Sequence, residues 1–242
     1  MNDYCIAGLP VRMQCHYPRT QTQSEAYRAP FCSGTPIIID ISLETLINYS
    51  QNHPSLSPEG WEYMMTGKIF YHHLTEHQGL MLHASAVVVD GWAYLFSADS
   101  GTGKSTHTSQ WLDYFGDRAF ILNDDKPAIR RINGSYQVFG TPWSGKTGQN
   151  VNTAAPLAGI AFLERSQNNW ITPMTPGEAF PLLMRQTMRR LSTRRMECLL
   201  NTVEDLLIHT SLYHMGCTIS QEAAVTAYMA MKPNDMERKE YT

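Results

Sequence analysis

The sequence predicts an α/β fold, a mixed sheet flanked by helices, and three observations carry that prediction. Residues from Met81 to about Met174 hold the strongest strand signals. Inside that stretch a strand-like run, a glycine-rich loop and an amphipathic helix follow one another in that order. From Thr175 onward the pattern turns mainly helical.

Residues 1–80 alternate short apolar runs such as "PIIIDI" with turn-rich pieces such as "NHPSLSPEG". This predicts short strands and loops around one or two helices, a small β-rich amino-terminal subdomain. A core over 81–232 follows, and then a frayed polar tail over 233–242. In the core, "MLHASAVVV" and "WAYLFS" flank Asp90-Gly91, a dipeptide suited to the two positive φ values of a tight hairpin. Thr108, Trp111, Leu112 and Phe115 recur at helical spacing, and Gly116 offers a left-handed stop. The run "RAFILNDD" is an apolar strand ending in two carboxylates, and "PAIRRINGSYQVFG" predicts a second hairpin around Asn133-Gly134. Thr175 to Glu178 reads as a capping box, with Pro181 expected to kink or restart its helix. Leu199 to Tyr213 and Gln221 to Met231 are further helix candidates.

Composition narrows the function. Over 242 residues, 19 basic and 22 acidic side chains leave a net charge of −3, so there is no global positive field to hold nucleic acid or an anionic membrane. Any polyanion must be gripped locally. No stretch approaches the roughly 18 apolar residues of a membrane span, and the amino terminus lacks the pattern of a signal peptide. Cys5, Cys15, Cys32, Cys198 and Cys217 are odd in number and widely spread, which predicts reduced thiols in a cytoplasmic protein. A homo-oligomer is compatible with all of this.

The local grip is legible in "FSADSGTGKST". A triphosphate needs convergent backbone N–H donors, a cation and a metal ligand, with no bulky side chains in the way. Gly101 and Gly103 let the main chain wrap closely, a new helix directs its first N–H groups at the anion, Lys104 reaches the β/γ-phosphates and Ser105 offers a hydroxyl to Mg²⁺. Alanine stands at position 98, where the G-x-x-x-x-G-K-[ST] pattern has its first glycine. Asp124-Asp125, at the end of the next strand, supplies a carboxylate for the metal.

With these residues together, "LHASAVVVDGWAYLFSADSGTGKST", then "NDD", then "GTPWSGK" resembles the HPr kinase/phosphorylase and phosphoenolpyruvate carboxykinase group of P-loop proteins. The resemblance covers about residues 81 to 165. It implies a P-loop kinase core, with Ser100, Gly101, Thr102, Gly103, Lys104, Ser105 and Thr106 as the ATP loop. Ser105 with Asp124 or Asp125 would be the Mg²⁺ ligands, and His83 the histidine on the strand before the loop. One aspartate would take the proton of a hydroxyl acceptor, without the sequence saying which. The chain is too short for the carboxykinase's oxaloacetate-binding half. Thr106-His107 and "GTPWSGK" depart from the HPr kinase pattern, so the acceptor stays open among protein, peptide and small-molecule hydroxyls.

Gly140 to Lys146 is a second loop, expected either to close over the nucleotide or to grip the acceptor through Trp143 and Lys146, with Lys146 among the catalytic candidates. The alternative is a hairpin exit with Trp143 plugging the core. Arg185, or a neighbour in "MRRLSTRR", is a candidate to stabilise transferred phosphate. Two other functions compete: a nucleotide sensor or accessory protein of a peptide-modification pathway, and, more remotely, a zinc protease using His73, Glu76 and His77 of "HHLTEH".

Overall fold

The computed structural model describes residues 1–29, 32–188 and 190–233. The chain opens with β1 (Asn2–Ile6) and β2 (Leu9–Met13), an antiparallel hairpin turning on Ala7 and Gly8, both at positive φ. Helix α1 (Pro18–Ser24) intervenes before β3 (Ile37–Ile39) joins β2 in parallel to complete a three-stranded sheet. Helix α2 (Leu43–Asn52) starts at Ser42, whose hydroxyl accepts from the Thr45 N–H; α3 (Pro58–Leu74) starts the same way at Ser57, with Pro58 pre-set for the first turn. Residues 1–80 thus contain more helix than the β-rich expectation allowed. Helix α3 escaped notice because it is buried on several sides at once. Its Phe70, Tyr71 and Leu74 meet the small sheet's core, while Trp61 packs on Ile41 and Leu46.

The large sheet begins at β4 (Gly79–Met81) and β5 (Ala84–Val89). The Asp90-Gly91 turn, with φ of 52° and 83°, folds β6 (Trp92–Ser97) back antiparallel on β5. A loop leads into α4 (Lys104–Phe115), which Gly116 ends at positive φ, and then into β7 (Ala119–Asn123). The second predicted hairpin forms from β8 (Ala128–Ile132) and β9 (Ser135–Phe139) around Asn133-Gly134. Strand β10 (Ala154–Arg165) is long enough to serve two neighbourhoods, pairing antiparallel with β9 at its start and parallel with β6 further on. After β11 (Trp170–Pro173) come α5 (Pro176–Gln186), α6 (Thr193–His209), β12 (Leu212–Cys217) and α7 (Gln221–Met231). The sheet runs β4-β8-β9-β10-β6-β5-β7, with β12 also on β10 and β11 on β12.

Alternation along the strands builds a core on each face. Ala86 and Val88 of β5 and Leu95 of β6 face α5 and α6, whereas Val87, Val89, Tyr94 and Phe96 face α4 and α7. The result is a mixed sheet flanked by helices, with a small sheet appended.

Three expectations need correction. The helix expected over Leu199–Tyr213 begins earlier, at Thr193, and stops at His209, because Leu212 and Tyr213 extend beside β10 as a parallel strand. Helix α5 runs through Pro181, which sits past the first turn and forfeits one main-chain bond to Gly177. Its capping box forms as read, Thr175 and Glu178 satisfying each other's N–H groups. Cys5 and Cys32 are not separate thiols but a disulfide, with Cα atoms 5.7 Å apart; Cys15, Cys198 and Cys217 are free. The predicted tail beyond Pro233 lies outside the described residues. Among those described, no helix is long and apolar enough to cross a membrane.

Candidate active site

Strand direction decides where the chemistry collects. Strands β6, β7, β10 and β12 all point the same way, with antiparallel β5 between β6 and β7. The carboxyl ends of β6 and β7 and the start of β5 therefore share one edge of the sheet. That edge receives the loop 98–103, His83 and the Asp124-Asp125 pair. Ligands of open α/β sheets gather beyond such carboxyl ends.

The loop is shaped by Gly101 and Gly103, at φ of 81° and 120°. No heavy atom lies within 4 Å of where a Cβ would project from either, so the concave side stays open. Helix α4 starts at Gly103 with no side-chain cap, leaving its first amides without that partner. Lys104 is only 7% exposed and folds back over the loop, its Nζ donating to the carbonyls of Ala98 at 2.9 Å and Asp99 at 3.4 Å. Alanine at 98 thus contributes its carbonyl to holding Lys104 at the loop entrance. Burial pulls the Lys104 ammonium below its ordinary range, while the negative field of Asp125, Asp124 and Asp99 opposes that. Ser105 and Thr106 are exposed beside it. Arg165, at the end of β10, steadies the loop from outside by donating to the Gly101 carbonyl at 2.6 Å.

The two aspartates are held differently. Asp124, 5% exposed, accepts from Ser85 Oγ at 2.7 Å, and Ser85 is in turn 2.8 Å from Thr108 Oγ1 on α4. Asp125 pairs with Lys126 and lies 3.3 Å from His83 Nε2. Burial raises its proton affinity, but the bonds to His83 and Lys126 outweigh that and the carboxyl falls to about 2. The turn carrying both is pinned by Asn123, whose Oδ1 accepts from the N–H groups of Asp125 and Lys126.

Gln186, not singled out in the sequence, joins the two halves. Its Nε2 donates to Asp99 Oδ1 at 2.9 Å, and its Oε1 faces His83 Nδ1 at 3.0 Å. Asp99, Gln186, His83 and Asp125 form a continuous polar chain from the loop to the acidic pair. Arg185 also pairs with Asp99 and so reaches the loop. Ser85, Lys126, Arg165 and Gln186 were all missed. Only Lys126, adjacent to the acidic pair, carried a local signal.

The second loop does something else. Trp143 is 1% exposed, stacks on Phe70 with ring centroids 5.1 Å apart and donates its indole N–H to Thr66. It is the core plug of the alternative reading, because α3 supplies an aromatic bed invisible in the loop's own sequence. Lys146 is exposed beside Gly145, whose N–H donates to Tyr63 and whose carbonyl accepts from Arg19. The zinc-protease constellation is also filled otherwise. Arg195 sits 3.5 Å from Glu76 and 3.3 Å from the His73 ring, and among the described residues no group of three potential ligands forms.

Comparison with known proteins adds three findings. A family model described as SynChlorMet cassette protein ScmC matches residues 61–229. The solved structure of the Hpr(Ser) kinase/phosphatase from Coxiella burnetii is similar over 66% of this chain and 93% of that one, at 9% identity and a TM-score of 0.37. Among curated proteins nothing matches.

Proposed function

The chain belongs to the SynChlorMet cassette protein ScmC family, and we propose from its geometry that it moves the γ-phosphate of Mg·ATP to a hydroxyl acceptor. One observation carries the reading: an open, glycine-shaped loop with a folded-back lysine shares a sheet edge with two differently held carboxylates. The donor set fits the nucleotide. Loop amides and the start of α4 would cradle the phosphates, and Lys104 would exchange the Ala98 carbonyl for a phosphate oxygen. Ser105 and Asp124 would hold Mg²⁺, which when bound neutralises charge on the phosphates.

Asp125 is left as the group facing the acceptor. The acceptor oxygen forms the new P–O bond as the bond to the ADP oxygen breaks, and the hydroxyl proton passes to Asp125. His83 holds that carboxylate in place, since both its ring nitrogens face acceptors. Residues 81–232 would form the catalytic core, and residues 1–80 would build its acceptor side through α3. The aspartate and histidine roles extend the geometry and fall with it.

The test uses two variants and a fluorescent ATP analogue. Lys104→Met, which keeps the apolar stem, should weaken nucleotide binding about tenfold or more. Asp125→Asn should bind within a few-fold of wild type yet lose about 100-fold in transfer or slow hydrolysis of γ-labelled ATP. Circular dichroism checks that both are folded. Unchanged binding in folded Lys104→Met would overturn the site. A wild-type protein that binds ATP but neither transfers nor hydrolyses would be a sensor instead.

A further inference from the structure

A cavity of about 740 Å³ opens between α3, the Lys126 turn and the segment after α5, within the range of small-ligand sites. Its walls are mainly apolar, formed by Tyr63, Tyr71, Met81, Trp143 and Met188. The polar contribution is one-sided. Lys68, Lys126 and Arg190 line it, and no aspartate or glutamate does among the described residues. Lys126 is already committed to Asp125. Lys68 and Arg190 have no carboxylate within ion-pair distance among the described residues, which leaves two cations for whatever enters.

The cavity also adjoins the reacting edge at two points. Lys126 both lines it and holds Asp125, and Thr187 in its wall directly follows Gln186, which holds His83. Thr187 is itself fixed by donating to the Met81 carbonyl at 2.6 Å. A molecule seated here would lie beside the carboxylate assigned above to the acceptor.

We infer that this cavity takes the phosphate acceptor, and that the acceptor is a hydroxyl compound with an apolar body and an anionic group, the class to which N-acylated hydroxyamino acids belong. Apolar walls favour the body by removing it from water, and the two uncommitted cations select the charge. The inference rests on the phosphotransferase reading for the word acceptor, but the ligand class rests on the cavity alone.

Two probes separate these. The apolar anion 8-anilinonaphthalene-1-sulfonate should bind the folded protein at one saturable site, and saturating Mg·ATP should not displace it. In Lys68→Gln/Arg190→Gln, two exposed positions, its affinity should fall about tenfold. The neutral N-phenyl-1-naphthylamine and a fluorescent ATP analogue should each stay within about twofold. For transfer, N-benzoyl-L-serine should be preferred about tenfold over N-benzoyl-L-serinamide, and the double variant should lose that preference. Equal affinity for the anionic probe in wild type and variant, or its competitive displacement by ATP, would overturn the assignment of the cavity. Loss of the anionic probe in the variant, in a protein that binds no nucleotide at all, would uphold the ligand class and remove the phosphotransferase reading.

Discussion

Two loops of this chain end in Gly-Lys and look alike as strings, Ser100 to Lys104 and Gly140 to Lys146, yet their glycines meet different surroundings. Around Gly101 and Gly103 there is open space, and the glycine is needed for the backbone angle. At Gly140 the angle is ordinary and the space is missing: a Cβ would overlap the Val151 carbonyl oxygen and come within 2.9 Å of the Leu122 carbonyl oxygen. At Gly145 both constraints hold, a φ of 73° and a Cβ that would meet Asp125 Cβ at 2.8 Å. The first loop is a cradle kept empty and the second a joint packed shut. Composition cannot tell these apart, because it records the residue and not what surrounds it.

The comparison can be broken by substitution. The largest effect is expected at Trp143→Ala in the packed loop, about 4 kcal/mol lost from global stability in urea unfolding, the scale for emptying a fully buried tryptophan site. Gly140→Ala should follow at about 3 kcal/mol, since its clash is with main chain that cannot swing aside. A loss below about 1 kcal/mol at either position would mean that the second loop is less locked than its contacts indicate.

The open loop should be soft to substitution and sensitive to pH through the helix behind it. His107, on α4, is buried, and burial pushes its imidazole down to about 4 from 6.5. Between those two values the unfolded chain takes up a proton that the folded chain refuses. Stability from this group is therefore complete above pH 6.5 and is lost as the pH falls toward 4, by at most about 3 kcal/mol. Melting temperatures across that window should fall in wild type and flatten in His107→Gln, which keeps an acceptor for the Trp111 indole. A slope shared by both proteins would assign the effect elsewhere. The smallest change is expected at Gly101→Ala, about 1 kcal/mol, because only the positive φ resists the methyl group. Its larger consequence would be for phosphate binding, read by the same ATP titration.

What was legible in the sequence was local. Asp90-Gly91 and Asn133-Gly134 name their turns because the required φ values belong to the dipeptides themselves. The loop, its helix and the acidic pair are contiguous strings whose spacing already states their geometry. Gln186 was silent because its role comes from partners far away in sequence, His83 and Asp99. Helix α3 was silent because burial on several faces erases the amphipathic stripe. Leu212 and Tyr213, the start of β12, were taken for the end of a helix because the pairing that makes them a strand is supplied by β10.

The Cys5–Cys32 bond turns the amino-terminal stretch into a covalent ring that encloses β2 and α1. The ring is moored to α3, where Glu62 accepts from the main-chain N–H of His16 and Tyr17, and Glu59 from that of Arg19. Since α3 also walls the cavity, a reductant would slacken only the outer mooring of one end of the molecule. Dithiothreitol should therefore speed amide hydrogen exchange along β1, β2 and α1 while leaving the protection of β6 and α4 as it was. The thiol–disulfide balance of the surroundings would then act as an adjustable tension on the end of the molecule built from the small sheet and α3, and leave the end that carries β6 and α4 as it was.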